Sequence, residues 1–298
     1  MIQLTTLGGL DLRASDGRVL QAIVVQPKRI ALLTYIALDG RGRFHQRDTL
    51  LAMFWPELDS DRARNALNKA VHYLRAELGE AVLLGRGDRE LGLDPERLSC
   101  DASAFDSLVR ERCLARALEL YRGDLLPGFF LSGAPEFERW LEEERGRLRR
   151  RAAEAAAKLA GQEEEAGNLP AAVALARQSV ALAPGDEPVL RRLLTTLDRS
   201  GDKAGALQVF EEWAKRLRED AGLEPSAETL KLAEYVRGPL GPRQAIPPHP
   251  ATESSPPRIP PGVSSNVQPG GPPQPPRFRV SRLAPLVGLS LPIILAMV

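Results

Sequence analysis

Apolar residues along residues 62–78 fall at Leu67, Ala70, Val71, Leu74 and Leu78, a spacing that gathers them into one stripe of an α-helix turning about 100° per residue. The opposite face carries Arg62, Asn65, Asn68, Lys69 and His72, with Arg64 and Arg75 on its flank and no acid before Glu77. Asp59 or Ser60, just upstream, can cap such a helix by accepting a hydrogen bond from its free backbone amides. Two further helices precede it. Residues 29–38 are apolar nearly throughout, after Pro27 and before Gly40; residues 46–55 place Leu50, Leu51, Phe54 and Trp55 on one side and stop at Pro56. Upstream again, residues 2–7, 10–14 and 19–25 are short apolar or alternating runs separated by Gly8-Gly9 and Ser15-Asp16-Gly17, which predict a small antiparallel strand set.

Behind the third helix, residues 81–84 and 90–93 flank the turn segment Gly85-Arg86-Gly87-Asp88-Arg89 and predict a hairpin. Strands, three helices and a terminal hairpin are the order of a winged helix, in which the third helix enters the major groove and the hairpin follows the DNA backbone. His45 reads as a polar turn residue and Trp55 as core.

Residues 99–238 are helical by pattern, rich in Ala, Leu, Glu and Arg. Gly167-Asn168-Leu169-Pro170-Ala171-Ala172-Val173 recurs as Gly201-Asp202-Lys203-Ala204-Gly205-Ala206-Leu207, an offset of 34 residues and the period of tetratricopeptide repeats. Residues 124–135 are apolar and broken by Pro and Gly, which predicts a loop folded onto the repeats. The basic run 145–151 follows Glu142-Glu143-Glu144. Pairing at i,i+4 makes it a solvated helix face and not a second nucleic-acid patch.

The charge distribution narrows the functional reading. Of 298 residues, 40 are Lys or Arg and 39 are Asp or Glu, leaving a net charge of +1. Residues 1–98 carry a net +1, residues 99–238 a net −4 and the remainder +4. Nucleic-acid binding therefore has to rest on local clustering at the third helix, not on a basic domain. Cys100 and Cys113 form no metal or CxxC spacing, and residues 1–10 lack the pattern of a signal peptide, so a cytoplasmic protein is expected. Residues 239–276 hold 14 prolines and predict a disordered linker, here taken as residues 239–282. Residues 283–298 are uncharged and follow Arg277, Arg279 and Arg282. They read either as a truncated membrane span, which would tether the protein to the inner membrane, or as a sticky disordered tail.

Asn pairs two-pronged with adenine, and Arg, Lys and His reach guanine acceptors or phosphates, so Asn65, Asn68, Lys69 and His72 are the candidate base readers. Arg62, Arg64, Arg75, Arg86 and Arg89 are the candidate phosphate contacts. No phosphate-binding GxxxxGK[ST] loop and no HExxH occurs, and the three histidines lie in separate segments, so no enzyme, metal or cofactor is expected.

The segments ALLTYIAL, QRDTLLAMFW, RARNALNKAVHYLRAELG and LREDAGLEPSAETLKLAE together resemble the bacterial transcriptional activator domain family, whose members include the antibiotic regulatory proteins. The resemblance covers about residues 1–237. It implies a mainly α fold: an OmpR/PhoB-type winged helix at residues 1–98, then an all-α tetratricopeptide-like domain at residues 99–238. It also implies a transcriptional activator on double-stranded DNA, with homodimerisation and RNA polymerase contacts through the helical domain. The reading from another class is a repeat-type protein-interaction adaptor without specific DNA binding.

Overall fold

In a computed structural model, which describes residues 1–39 and 44–238, the chain begins with β1 (Ile2–Thr5) and β2 (Asp11–Arg13), paired antiparallel with Leu4 opposite Leu12. The link between them requires glycine at position 8: its φ is +77° and a Cβ there would lie 2.7 Å from the backbone of Arg122. Residues 19–25 do not supply the expected third strand. Val19 makes one bridge to Arg13, and α1 (Gln21–Val24) follows. Leu20 and Ile23 are both buried, and a three-residue spacing puts two side chains on one side of a helical turn but on opposite sides of a strand.

Helix α2 (Pro27–Asp39) is the centre of the N-terminal part. Every residue from Ile30 to Leu38 is buried, as for a helix that is packed on all sides. Gly40 and the Gly42-Arg43 turn lie outside the described residues. Strand β3 (Phe44–Gln46) then leads directly into α3 (Arg47–Phe54). Here His45 departs from its expected place in a polar turn: it sits in β3 opposite Leu91, buried, with its ring 5.1 Å from that of Tyr35. Helix α4 (Ser60–Leu78) is followed by β4 (Leu83–Arg86) and β5 (Glu90–Leu93). Arg86 pairs with Glu90, so only Gly87, Asp88 and Arg89 form the turn, tighter than the five residues expected. The second sheet has the order β3-β5-β4.

Strand β6 (Leu98–Cys100) returns to the first sheet and pairs parallel to β1, supplying the strand that residues 19–25 do not. It runs into α5 (Asp101–Arg110), whose first residue binds the end of β1: the Asp101 carboxylate accepts from the Thr6 and Leu7 amides at 2.9 Å and from Thr6 Oγ1 at 2.7 Å. Helix α6 (Leu114–Leu120) precedes the apolar insert, and α7 (Pro135–Glu165) follows it. The insert is folded, but against the first sheet as well as α7. Leu125 bridges Leu7, the Leu126 amide donates to Thr6 O at 2.8 Å, and Arg145 donates to the carbonyls of Leu125 and Leu126.

One hydrophobic core runs from Ile2 to Ala152 across residue 98. Phe137 of α7 lies 5.2 Å from Phe54 and Trp140 lies 4.8 Å from Tyr35, ring to ring. A second core joins the end of α7 to α8 (Leu169–Leu182), α9 (Glu187–Arg199), α10 (Lys203–Ala221) and α11 (Ala227–Arg237). The recurring glycines Gly167 and Gly201, at φ +80° and +84°, open the turns into α8 and α10. Pro184 lies in the turn between α8 and α9, and its carbonyl accepts from Trp213 Nε1 at 2.6 Å. All the described residues fall in one compact unit, Met1–Gln244. The linker at residues 239–282 and the apolar run at 283–298 lie outside the described residues. Among the described residues no helix is long and apolar enough to cross a membrane.

Candidate nucleic-acid interface

The local sequence of α4 specifies both its start and its orientation. The Asp59 carboxylate accepts from the Arg62 amide at 2.9 Å, and Gly79 closes the helix at φ +99°. Ala63, Leu67, Ala70, Val71, Leu74 and Leu78 are buried, which turns the polar face outward. Asn65, Asn68, Lys69 and His72 are exposed along it, together with Arg62 and Arg64. Arg62 approaches Asp59 at 3.3 Å and Arg64 approaches Asp61 at 3.8 Å, with 79% and 61% of each arginine side chain exposed. Such surface pairs contribute little, so both guanidinium groups can exchange partners for phosphate.

The remaining arginines divide. Arg75 is drawn off the face: Nε and Nη2 donate to the Leu83 carbonyl at 3.0 and 2.9 Å, tying α4 to the first strand of the hairpin. Its placement is that of a structural brace. Arg86 lies over the Phe44 ring, 4.1 Å from its centroid, and within 3.6 Å of Glu90. Arg89, at the hairpin turn, has an exposed side chain, while its carbonyl accepts from the Arg47 amide at 2.8 Å.

Arg47 is the residue that sequence reasoning missed. It heads α3, and its Nη1 donates to Asn68 Oδ1 at 2.7 Å across a cleft of about 660 Å³ walled also by Arg64, Asp88 and Arg89. The sequence shows only an arginine at a helix start; its meeting with a residue 21 positions later depends on how α3 crosses α4.

The other basic run is neither a solvated face nor a free patch. Arg147 and Arg151 converge on Asp106, whose side chain is 3% exposed, with shortest approaches of 2.8 Å each. Arg149 pairs with Asp124, and Arg145 holds the carbonyls of the insert. These arginines fasten α5 and the insert to α7, and the local pairs the run does make, Arg145 with Glu142 and Arg147 with Glu144, are spaced i,i+3 and not i,i+4. Cys100 is fully buried, and burial, then the neighbouring Asp101 charge, pushes its thiol up to about 12, far from the reactive thiolate form. Among the described residues no three His, Cys, Asp or Glu side chains gather as a metal would require.

Residues 100–237 match the family model of the bacterial transcriptional activator domain. That match spans 138 of the 298 residues, a little under half of the chain. The match starts at the end of β6 and stops at the last residue of α11, so the α4 face lies outside it. Among solved structures the fold is similar to that of Mycobacterium tuberculosis EmbR in complex with a low affinity phosphopeptide, with a TM-score of 0.58 and 23% identity over 79% of this chain. The chain spans 65% of the length of that EmbR chain. No curated protein matches the sequence.

Proposed function

We propose that this chain, whose residues 100–237 match the bacterial transcriptional activator domain, is a member of that family and a sequence-specific DNA-binding regulator, acting as an activator. In this reading the N-terminal part is a winged helix, α4 lies in the major groove, and the β4–β5 turn follows the sugar-phosphate backbone. The observation that carries it is the outward face of α4. Asn65, Asn68, Lys69, His72, Arg62 and Arg64 are exposed in one array, while the apolar stripe behind them is fully packed. Arg89 at the turn is placed to add a phosphate contact, whereas Arg75 is already occupied by the Leu83 carbonyl. Because the net charge is only +1, nonspecific affinity is expected to be modest and contacts to bases to matter correspondingly more.

The α7–α11 array is proposed as the tetratricopeptide-like part, serving homodimerisation and contacts with RNA polymerase. Leu223, Leu230 and Tyr235, large apolar side chains that stand 58%, 44% and 72% exposed, favour a protein-contact role for this end. That feature also keeps open the adaptor reading, in which α4 never meets DNA. The membrane tether finds no support among the described residues, and the regulator is proposed as cytoplasmic.

Selection of duplexes from a random-sequence pool by the full chain distinguishes the two readings. A recurrent motif that is lost on replacing Asn65 and Lys69 with Ala supports the regulator. A folded chain that enriches no motif leaves the adaptor.

A further inference from the structure

Arginine carries five N–H donors and no acceptor, so the atom of Asn68 that meets Arg47 Nη1 at 2.7 Å has to be the carboxamide oxygen. The orientation of this amide is thus fixed by chemistry. A charge-assisted hydrogen bond of this kind is stronger than one between neutral groups. Arg47 is itself anchored, since its backbone amide donates to Arg89 O at 2.8 Å. Its Nε is buried and finds no acceptor among the described residues, so the guanidinium leans on Asn68 through Nη1.

Two-pronged recognition of adenine needs both halves of an Asn side chain: the oxygen accepts from N6 while the amide donates to N7. In Asn68 one of the two lone pairs of that oxygen is already taken by Arg47, whose positive charge also stands where the donor N6 of adenine would approach, so the amide is the half left free of competition. Guanine presents N7 and O6, two adjacent acceptors, on its major-groove edge, and cytosine presents a donor there. We infer that Arg47 sets the base specificity of Asn68, turning it into a donor-only reader that selects guanine in place of adenine. The inference rests on the DNA-binding reading above. It assigns Arg47 as a positioning residue and Asn68 as the group that touches the base.

The experiment is random-pool selection with the full chain, comparing the unaltered protein with Asn68→Ala, Asn68→Asp and Arg47→Met. The base pair read by Asn68 is the one whose preference disappears in Asn68→Ala. The unaltered protein is expected to prefer guanine there, and Arg47→Met to move the preference to adenine, with affinity for the guanine duplex falling on the order of tenfold. Asn68→Asp retains an acceptor for Arg47 but has no amide to present, so it is expected to fold normally and lose the guanine preference. Its melting transition checks the fold, and this arm stands even if Arg47→Met does not fold.

Adenine preference in the unaltered protein would overturn the inference, showing that Arg47 releases Asn68 on the DNA. So would an unchanged preference in a folded Arg47→Met, or the absence of any position that responds to Asn68→Ala. Failure of the unaltered chain to enrich any motif would instead remove the DNA-binding reading, and the inference with it.

Discussion

At the scale of single residues, the side chains that hold the molecule together are arginines with distant acidic partners. Arg149 donates to Asp124, and that bond, foremost among the causes, holds the Asp124 carboxyl below the usual carboxylate range. Tyr121 donates to the same carboxylate at 3.2 Å; burial, then that negative charge, pushes its hydroxyl up to about 12. A depressed carboxyl stabilises the fold fully above its unfolded value, and the contribution disappears as the pH falls through the lower folded value. Asp124→Asn is therefore expected to give a melting temperature that declines less on acidification than that of the unaltered chain. Equal acid limbs in the two thermal titrations would show that the pair contributes nothing. These pairs were not legible in the sequence. The basic run at residues 145–151 stands beside an acidic one, which suggests local pairing, whereas Asp106 lies 41 positions from Arg147 and Asp124 lies 25 positions from Arg149. The polar face of α4 was legible because each of its members is positioned by one helix alone. Arg47 was not, because it belongs to that face only through the crossing of two helices.

At the scale of elements, local signals succeeded where they agreed with one another. The stripe, the cap and the closing glycine of α4 all mark the same helix, and its observed bounds, Ser60–Leu78, extend the expected ones by two residues at the start. Replacing Asp59 with Ala leaves the Arg62 amide without its acceptor and is expected to cost about 1 kcal/mol, read from urea unfolding of the full chain. An unchanged midpoint would mean that Ser60 or water takes over the cap. Residues 19–25 failed for the complementary reason. In a run this short the apolar pattern admits either period, and the free edge of β1 is already taken by β6, which lies more than 70 residues downstream. The final turn was readable in part. Gly222 occupies the left-handed region at φ +64°, as the end of α10 requires, while Ser226 caps α11. The sequence held no hint that Glu187 of α9 reaches across to that cap, accepting from the Ser226 amide at 3.1 Å and from Thr229 Oγ1 at 2.6 Å. Burial opposes ionisation of Glu187, but these bonds prevail and hold its carboxyl low.

At the scale of the whole molecule, the expected division at residue 98 marks a change of pattern in the chain, yet the first core continues past it. Asp101 caps the end of β1, β6 completes the first sheet, and Phe137 and Trp140 close over Phe54 and Tyr35. A fragment of residues 1–98 would expose that apolar surface and leave the Thr6 and Leu7 amides without their carboxylate. It is expected to lack a cooperative thermal transition, whereas residues 1–244 retain one. A sharp transition in the short fragment would show that the N-terminal part is autonomous. A shared core also fixes α4 relative to α7, so a force applied to the first turns of α7 reaches α4 through packing instead of through a flexible joint.

The central claim, that the outward face of α4 binds DNA by sequence, is tested most directly by the salt dependence of binding. The full chain is titrated onto a duplex selected from the random pool, and onto a scrambled duplex, at several salt concentrations, beside the Asn65→Ala/Lys69→Ala double variant. With about five phosphates neutralised, log affinity should fall with log salt at a slope of about −4.5. The selected duplex should bind more tightly than the scrambled one, and the double variant should lose that difference. Equal affinity for both duplexes, or a double variant that discriminates as well as the unaltered chain, would contradict the account.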